Sequence, residues 1–138
     1  MASFTKFNSF VEALAEKKHD LGSDTLTVAL CAAANAPTSA DSVLADLTEA
    51  SYTNCSTRAI TTSTSSQTSG TYKLVLADLT LTASGGTVGP FRYVVIYNDT
   101  ATNDELIGFF DYGSDITLAD TETLLIDFDA SNGVLQLA

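Results

Sequence analysis

Phe91-Arg-Tyr-Val-Val-Ile-Tyr97 is the stretch on which the fold turns. From Tyr93 to Tyr97 it is apolar on both faces, which predicts a central strand covered from both sides. Working outward, further strand-like segments flank it. Glu105-Leu-Ile-Gly-Phe-Phe110 and Thr123-Leu-Leu-Ile-Asp-Phe128 follow, and Tyr72-Lys-Leu-Val-Leu76 and Leu79-Thr-Leu-Thr-Ala83 precede. Each is bounded by Gly-, Asn- or Asp-bearing turns. In the last segment Leu124, Ile126 and Phe128 are expected inward, with Asp127 and Asp129 outward. Asn132-Gly133 then turns the chain into Val134–Leu137, a final edge pairing. Ser84–Pro90 reads as a turn, with Gly relieving steric limits and Pro presetting φ.

Upstream, Thr25–Cys31 places Leu26, Val28 and Leu30 on one face of a half-buried strand. Ala32–Thr53 is irregular, with a loop at Ala36-Pro37 and one helical turn over Ser42–Leu47. Tyr52–Gly70 is dominated by Ser and Thr and predicts a strand around Arg58–Thr62, followed by an exposed loop, Ser63–Gly70. Seven or eight short strands at this spacing predict a mainly β, single-domain antiparallel β-sandwich or jelly-roll-like barrel, with a strand-rich body over residues 25–138.

The N-terminal stretch departs from this pattern. Phe4, Phe7, Phe10, Val11 and Leu14 recur at helical spacing, predicting one helix over about residues 5–19. Thr5 or Asn8 is its candidate cap, and Gly22 its stop. Its Phe stripe either packs on the domain's own sheet or docks on a partner. His19 is expected at the solvent-exposed helix end.

The chain has 138 residues, 45% of them hydrophobic, which suffices for one core of ordinary proportions. Seventeen acids face six Lys and Arg, and after Arg92 there are nine acids and no base. Such a surface repels phosphate backbones and anionic membranes, so neither nucleic acid nor membrane is an expected partner. No segment reaches the ~20 apolar residues of a membrane span, and the first residues lack a signal-peptide core, so synthesis in the cytoplasm is expected. Cys31 ends an apolar run and reads as a buried small side chain; a pairing with Cys55 is left open.

The catalytic inventory is thin. His19 is the one available imidazole, and no G-x-S-x-G elbow accompanies it. Asp127 and Asp129 share a strand face without an aromatic cleft beside them. Asn98–Asp104 gathers oxygen ligands, but not at EF-hand spacing, and reads as an Asx-rich hairpin loop. Gly85–Gly89 lacks the Gly-Lys-Ser/Thr end of a phosphate loop. Asn54-Cys-Ser56 and Asn98-Asp-Thr100 match the glycosylation sequon, which a chain without a signal peptide would not use. No enzyme, metal or cofactor is expected.

Several segments together resemble small virion proteins of tailed bacteriophages. They are Phe7-Asn-Ser-Phe-Val-Glu12, Leu21-Gly-Ser-Asp-Thr-Leu26, Asp46-Leu-Thr-Glu49, Ser69-Gly-Thr-Tyr72, Gly89-Pro-Phe-Arg-Tyr-Val-Val95, Tyr97-Asn-Asp-Thr100 and Leu106-Ile-Gly108. Ser51–Cys55 departs from that pattern, which usually carries Gly before the Tyr. The resemblance implies a virion structural role, best matched by a capsid cement or decoration protein. Such a protein would sit on the outer surface of the head, bind the major capsid protein and form a homo-oligomer, a trimer. Phe4, Phe7 and Phe10, and Ser65 and Gln67 in the Ser/Thr-rich loop, are the candidate partner contacts. A tail or fibre component is the alternative, including a carbohydrate-binding β-sandwich that stacks sugars on Tyr52, Tyr97 or Tyr112.

Overall fold

The computed structural model describes residues 2–138, and its architecture is mainly β with antiparallel sheets and a single α-helix. The elements in chain order are β1 (Phe4–Lys6), α1 (Ser9–Ala15), β2 (Leu26–Cys31), β3 (Ala59–Ile60), β4 (Thr62–Thr68), β5 (Thr71–Leu76), β6 (Leu79–Thr82), β7 (Val88–Asn98), β8 (Leu106–Leu118), β9 (Thr123–Ile126) and β10 (Leu135–Leu137). A five-stranded sheet runs in the order β1-β8-β7-β2-β3. A three-stranded sheet, β10-β5-β4, and a two-stranded ribbon, β6-β9, complete a sandwich-like arrangement.

The predicted centre is the centre. β7 lies between β2 and β8, pairing Val94 with Leu30 and Phe110, and Val95 with Ala29 and Phe109. Alternation along these strands feeds two cores on opposite faces of the large sheet. Val28, Leu30, Val94, Ile96 and Ile107 pack with Leu74, Leu76, Leu79 and Leu81 of the smaller sheets. Ala29, Cys31, Val95, Tyr97 and Leu106 pack on the other side with Phe7, Leu44 and Leu47. The irregular segment after β2 thus serves as the lid of the second core. Its 3-10 turn at Leu44–Asp46 is the helical turn expected there. Asp46 holds that turn: its Oδ2 accepts from the backbone N–H of Ser42 (2.9 Å) and Val43 (3.1 Å).

Several expectations are corrected. The helix is Ser9–Ala15, shorter than residues 5–19, and Phe4 lies in a strand, opposite Phe110. The three Phe therefore form no single stripe. Phe4 and Phe10 pack in the first core and Phe7 in the second, so the N-terminal segment wraps the sheet edge with aromatic contacts on both sides. Gly108 in β8 makes this approach possible: a Cβ there would run into the Phe4 ring.

The helix also stops before Gly22. Lys17 takes a positive φ of 66°, with Lys18 N–H on the Ala13 carbonyl (2.9 Å) and Lys17 N–H on the Leu14 carbonyl (3.3 Å). That is a Schellman ending made without glycine, which leaves no local signal in the sequence. Asn8 occupies the cap position in helical conformation and makes no side-chain cap.

The Ser/Thr-rich stretch is not a loop. Thr62–Thr68 pairs with β5 throughout, with a positive-φ turn confined to Ser69-Gly70. Seven residues of Thr, Ser and Gln form this strand because backbone pairing and one buried face suffice; the side chains facing water need no apolar pattern. Likewise the Ser84–Pro90 turn ends early, since β7 begins at Val88.

Candidate interaction surface

Phe7 and Phe10 are buried, Phe4 is half-buried against the first core, and the folded chain keeps all three for its own packing. Ser65 shares a hydrogen bond with Tyr72 Oη at 2.7 Å. Gln67 is exposed, but its Oε1 accepts from Gly70 N–H at 3.0 Å and so braces the β4–β5 turn. The structure does not bring Ser65 and Gln67 together with the three Phe as one surface.

The polar constellations that drew notice in the sequence are largely committed to folding. Asn98 is fully buried. Its Oδ1 accepts from Thr100 N–H (3.0 Å) and Ala101 N–H (3.1 Å), closing the Asx turn. Its Nδ2 donates to Asp24 Oδ2 (2.6 Å) and to His19 Nδ1 (3.0 Å). His19 is therefore not at an exposed helix end. It is buried against Phe10, with ring centroids 5.3 Å apart, and its Nε2 has no partner. Burial pushes its pKa down, against the raising influence of Glu105 and Asp24. Among the described residues no cluster of His, Cys, Asp or Glu has the geometry of a metal site, and no helix is long and apolar enough to cross a membrane.

The divergent loop Ser51–Cys55 is anchored through Tyr52. Its hydroxyl donates to Glu49 Oε1 (2.6 Å) and accepts from Leu30 N–H (2.9 Å), while the Arg58 guanidinium stacks 3.6 Å from the ring centroid. Desolvation, then the bond to Glu49, holds the phenol in its neutral form well above its usual titration range. Cys31 and Cys55 are free thiols on opposite sides of the large sheet. Burial pushes the Cys31 thiol up to about 11, so it packs as an inert apolar group.

What remains open is an apolar groove. It occupies about 320 Å³ where the large sheet meets the β6–β9 ribbon, and is lined by Val94, Phe110, Tyr112, Leu124, Leu125 and Ile126. Tyr112 is 60% exposed and Leu125 55%. Cross-strand pairing sets Val94 beside Phe110, and strand alternation brings Tyr112 to the same face. Acids ring the opening: Asp127 lies in its wall, and Asp111, Asp115, Asp120 and Glu122 are exposed on the same two strands and their connection. Arg92 is engaged on Asp111 by two parallel bonds, Nε to Oδ1 (2.7 Å) and Nη2 to Oδ2 (2.9 Å). These bonds hold the Asp111 carboxyl below the usual carboxylate range.

The sequence held a signal for this groove that the reading above did not use. With Leu124, Ile126 and Phe128 inward, alternation sends Leu125 outward, an apolar side chain in a solvent register. Tyr112 entered only as a sugar-stacking candidate, beside Tyr52 and Tyr97. Of those three, Tyr97 is buried and Tyr52 is covered by Arg58, so Tyr112 alone offers an open ring.

Comparison with known proteins gives no relative: no family model, no curated protein and no solved structure matches the chain.

Proposed function

We propose that this chain is a bacteriophage capsid cement protein that binds the outer face of the assembled head through the major capsid protein and stabilises it. The observation that carries the reading is the set of segments resembling small virion proteins, from Phe7–Glu12 to Leu106–Gly108. Several of them fall on β7 and on the strands flanking it, β2 and β8. Supporting it are a strand-rich body, an acidic exterior that keeps the free protein soluble, and an exposed apolar groove of the kind that marks protein contacts. As a trimer at threefold or quasi-threefold positions, the protein would gain avidity from several weak contacts at once. Binding the assembled shell and not its separated subunits stabilises the shell by linkage, without chemistry.

The alternative is a tail or fibre position, where the open ring of Tyr112 would stack on a sugar. Quantifying the protein in purified virions separates the two: hundreds of copies support the head, a handful the tail. Virions lacking the protein should release DNA at a lower temperature than complete ones. Equal heat stability, with antibody labelling at the tail tip, overturns the cement reading.

A further inference from the structure

We infer that the groove between the outer half of β8 and β9 is a strand-addition site for an extended, Lys- or Arg-bearing segment of another protein. The first ground is unpaired backbone. β1 covers β8 only from Gly108 to Phe110, so among the described residues no strand lies on that side of Asp111–Leu118. β9 pairs with β6 on one edge and with no strand on the other. Edge strands present rows of free N–H and C=O groups that template a further strand.

The second ground is the side chains at that edge. Proteins blunt exposed edges with charge, Pro or bulges. Here Leu125 and Tyr112 are more than half exposed beside the edge, over an apolar floor of Phe110, Leu124 and Ile126. An added strand would bury alternate apolar side chains against them, while its intervening residues faced outward to the rim.

Charge chooses the occupant. The rim carries Asp111, Asp115, Asp120, Glu122 and Asp127, and its nearest base, Arg92, is held by Asp111. A basic partner meets complementary charge, which speeds its encounter and fixes its register. A second copy of this chain meets the reverse: antiparallel pairing of β9 with its twin, Thr123 opposite Ile126, also sets Glu122 opposite Asp127, and directly opposed like charges destabilise a sheet. The inference stands on this surface alone; under the head-shell reading, the segment belongs to the shell protein.

The test uses the purified full chain and a capped peptide of about nine residues in which Val and Lys alternate, long enough to span either edge. Amide resonances of residues 111–118 and 123–127 should shift on titration, with the rest of the spectrum still. Leu125→Asp, at an exposed position, should weaken binding at least about tenfold while leaving the dispersed spectrum intact. N-methylation of alternate peptide nitrogens keeps the charge, removes the ladder donors and should abolish binding. Equal binding by the methylated peptide, or shifts spread over the whole acidic surface, reduces the interaction to long-range attraction and overturns the proposal. So does a peptide-free spectrum in which the Leu125 and Tyr112 signals depend on protein concentration, because the occupant is then a second copy.

Discussion

Tyr93–Tyr97 in β7 and Thr123–Ile126 in β9 are both short, apolar-rich strands, yet they end in opposite circumstances. β7 has a neighbour on each edge and a core on each face, and Val95 and Ile96 are buried on opposite sides. β9 has one neighbour and one covered face, and Leu125 stands in solvent. What differs is the supply of covering groups. The N-terminal segment brings Phe7, and the segment after β2 brings Leu44 and Leu47, to the far side of β7. Nothing in the chain is brought to the outer side of β9. Two strands of similar composition thus divide into scaffold and available surface according to what the rest of the chain lays over them.

The largest expected effect that tests this contrast is Val95→Asp. An unpaired carboxylate in a fully covered site should cost about 3 kcal/mol or more and leave little soluble, folded protein. A variant with native dispersion and an unchanged urea midpoint would contradict two-sided burial of β7.

Next in size is a matched pair of truncations. Phe7→Ala empties a fully buried aromatic site and should cost about 3–5 kcal/mol. Leu125→Ala should change stability by about 0.5 kcal/mol or less, since its side chain is mostly in water already. Denaturant unfolding of both variants measures the contrast. Comparable losses would mean that Leu125 is covered in solution, by a second copy or by the chain itself.

The smallest effect concerns the turn that ties α1 to β7. Burial lowers the His19 pKa below its ordinary value of 6.5, so between the two values the unfolded chain binds more protons than the folded one. This contribution to stability is complete above 6.5 and declines as pH falls through that window. Urea midpoints taken from about pH 8 down to about pH 5 should fall more steeply for the native chain than for His19→Gln, which lacks the titration. Parallel pH profiles would show that His19 is solvated and the Asn98 bond incidental.

Much of this fold was legible because period-two alternation depends only on adjacent residues. β2, β5, β6, β7, β9 and the start of β8 follow directly from it. The failures have one common form. Phe4, Phe7 and Phe10 matched a helical period by coincidence, because an edge-wrapping segment that alternates sides of a sheet can produce the same spacing. β4 was hidden because a strand held by its ladder to β5 needs no apolar code. His19 looked exposed because its partners, Asn98 and Asp24, lie on other elements.

Composition and pattern by themselves determined an antiparallel β body, a central Tyr93–Tyr97 strand and an acidic exterior, since each is a property of neighbouring residues or of a sum over the chain. Which apolar residues are internal and which remain available was decided only by tertiary structure. Phe7 and Leu125 are both apolar side chains with ordinary surroundings in sequence. One is buried and the other open because burial depends on distant segments arriving to cover a site, and that is fixed by sheet order and chain path.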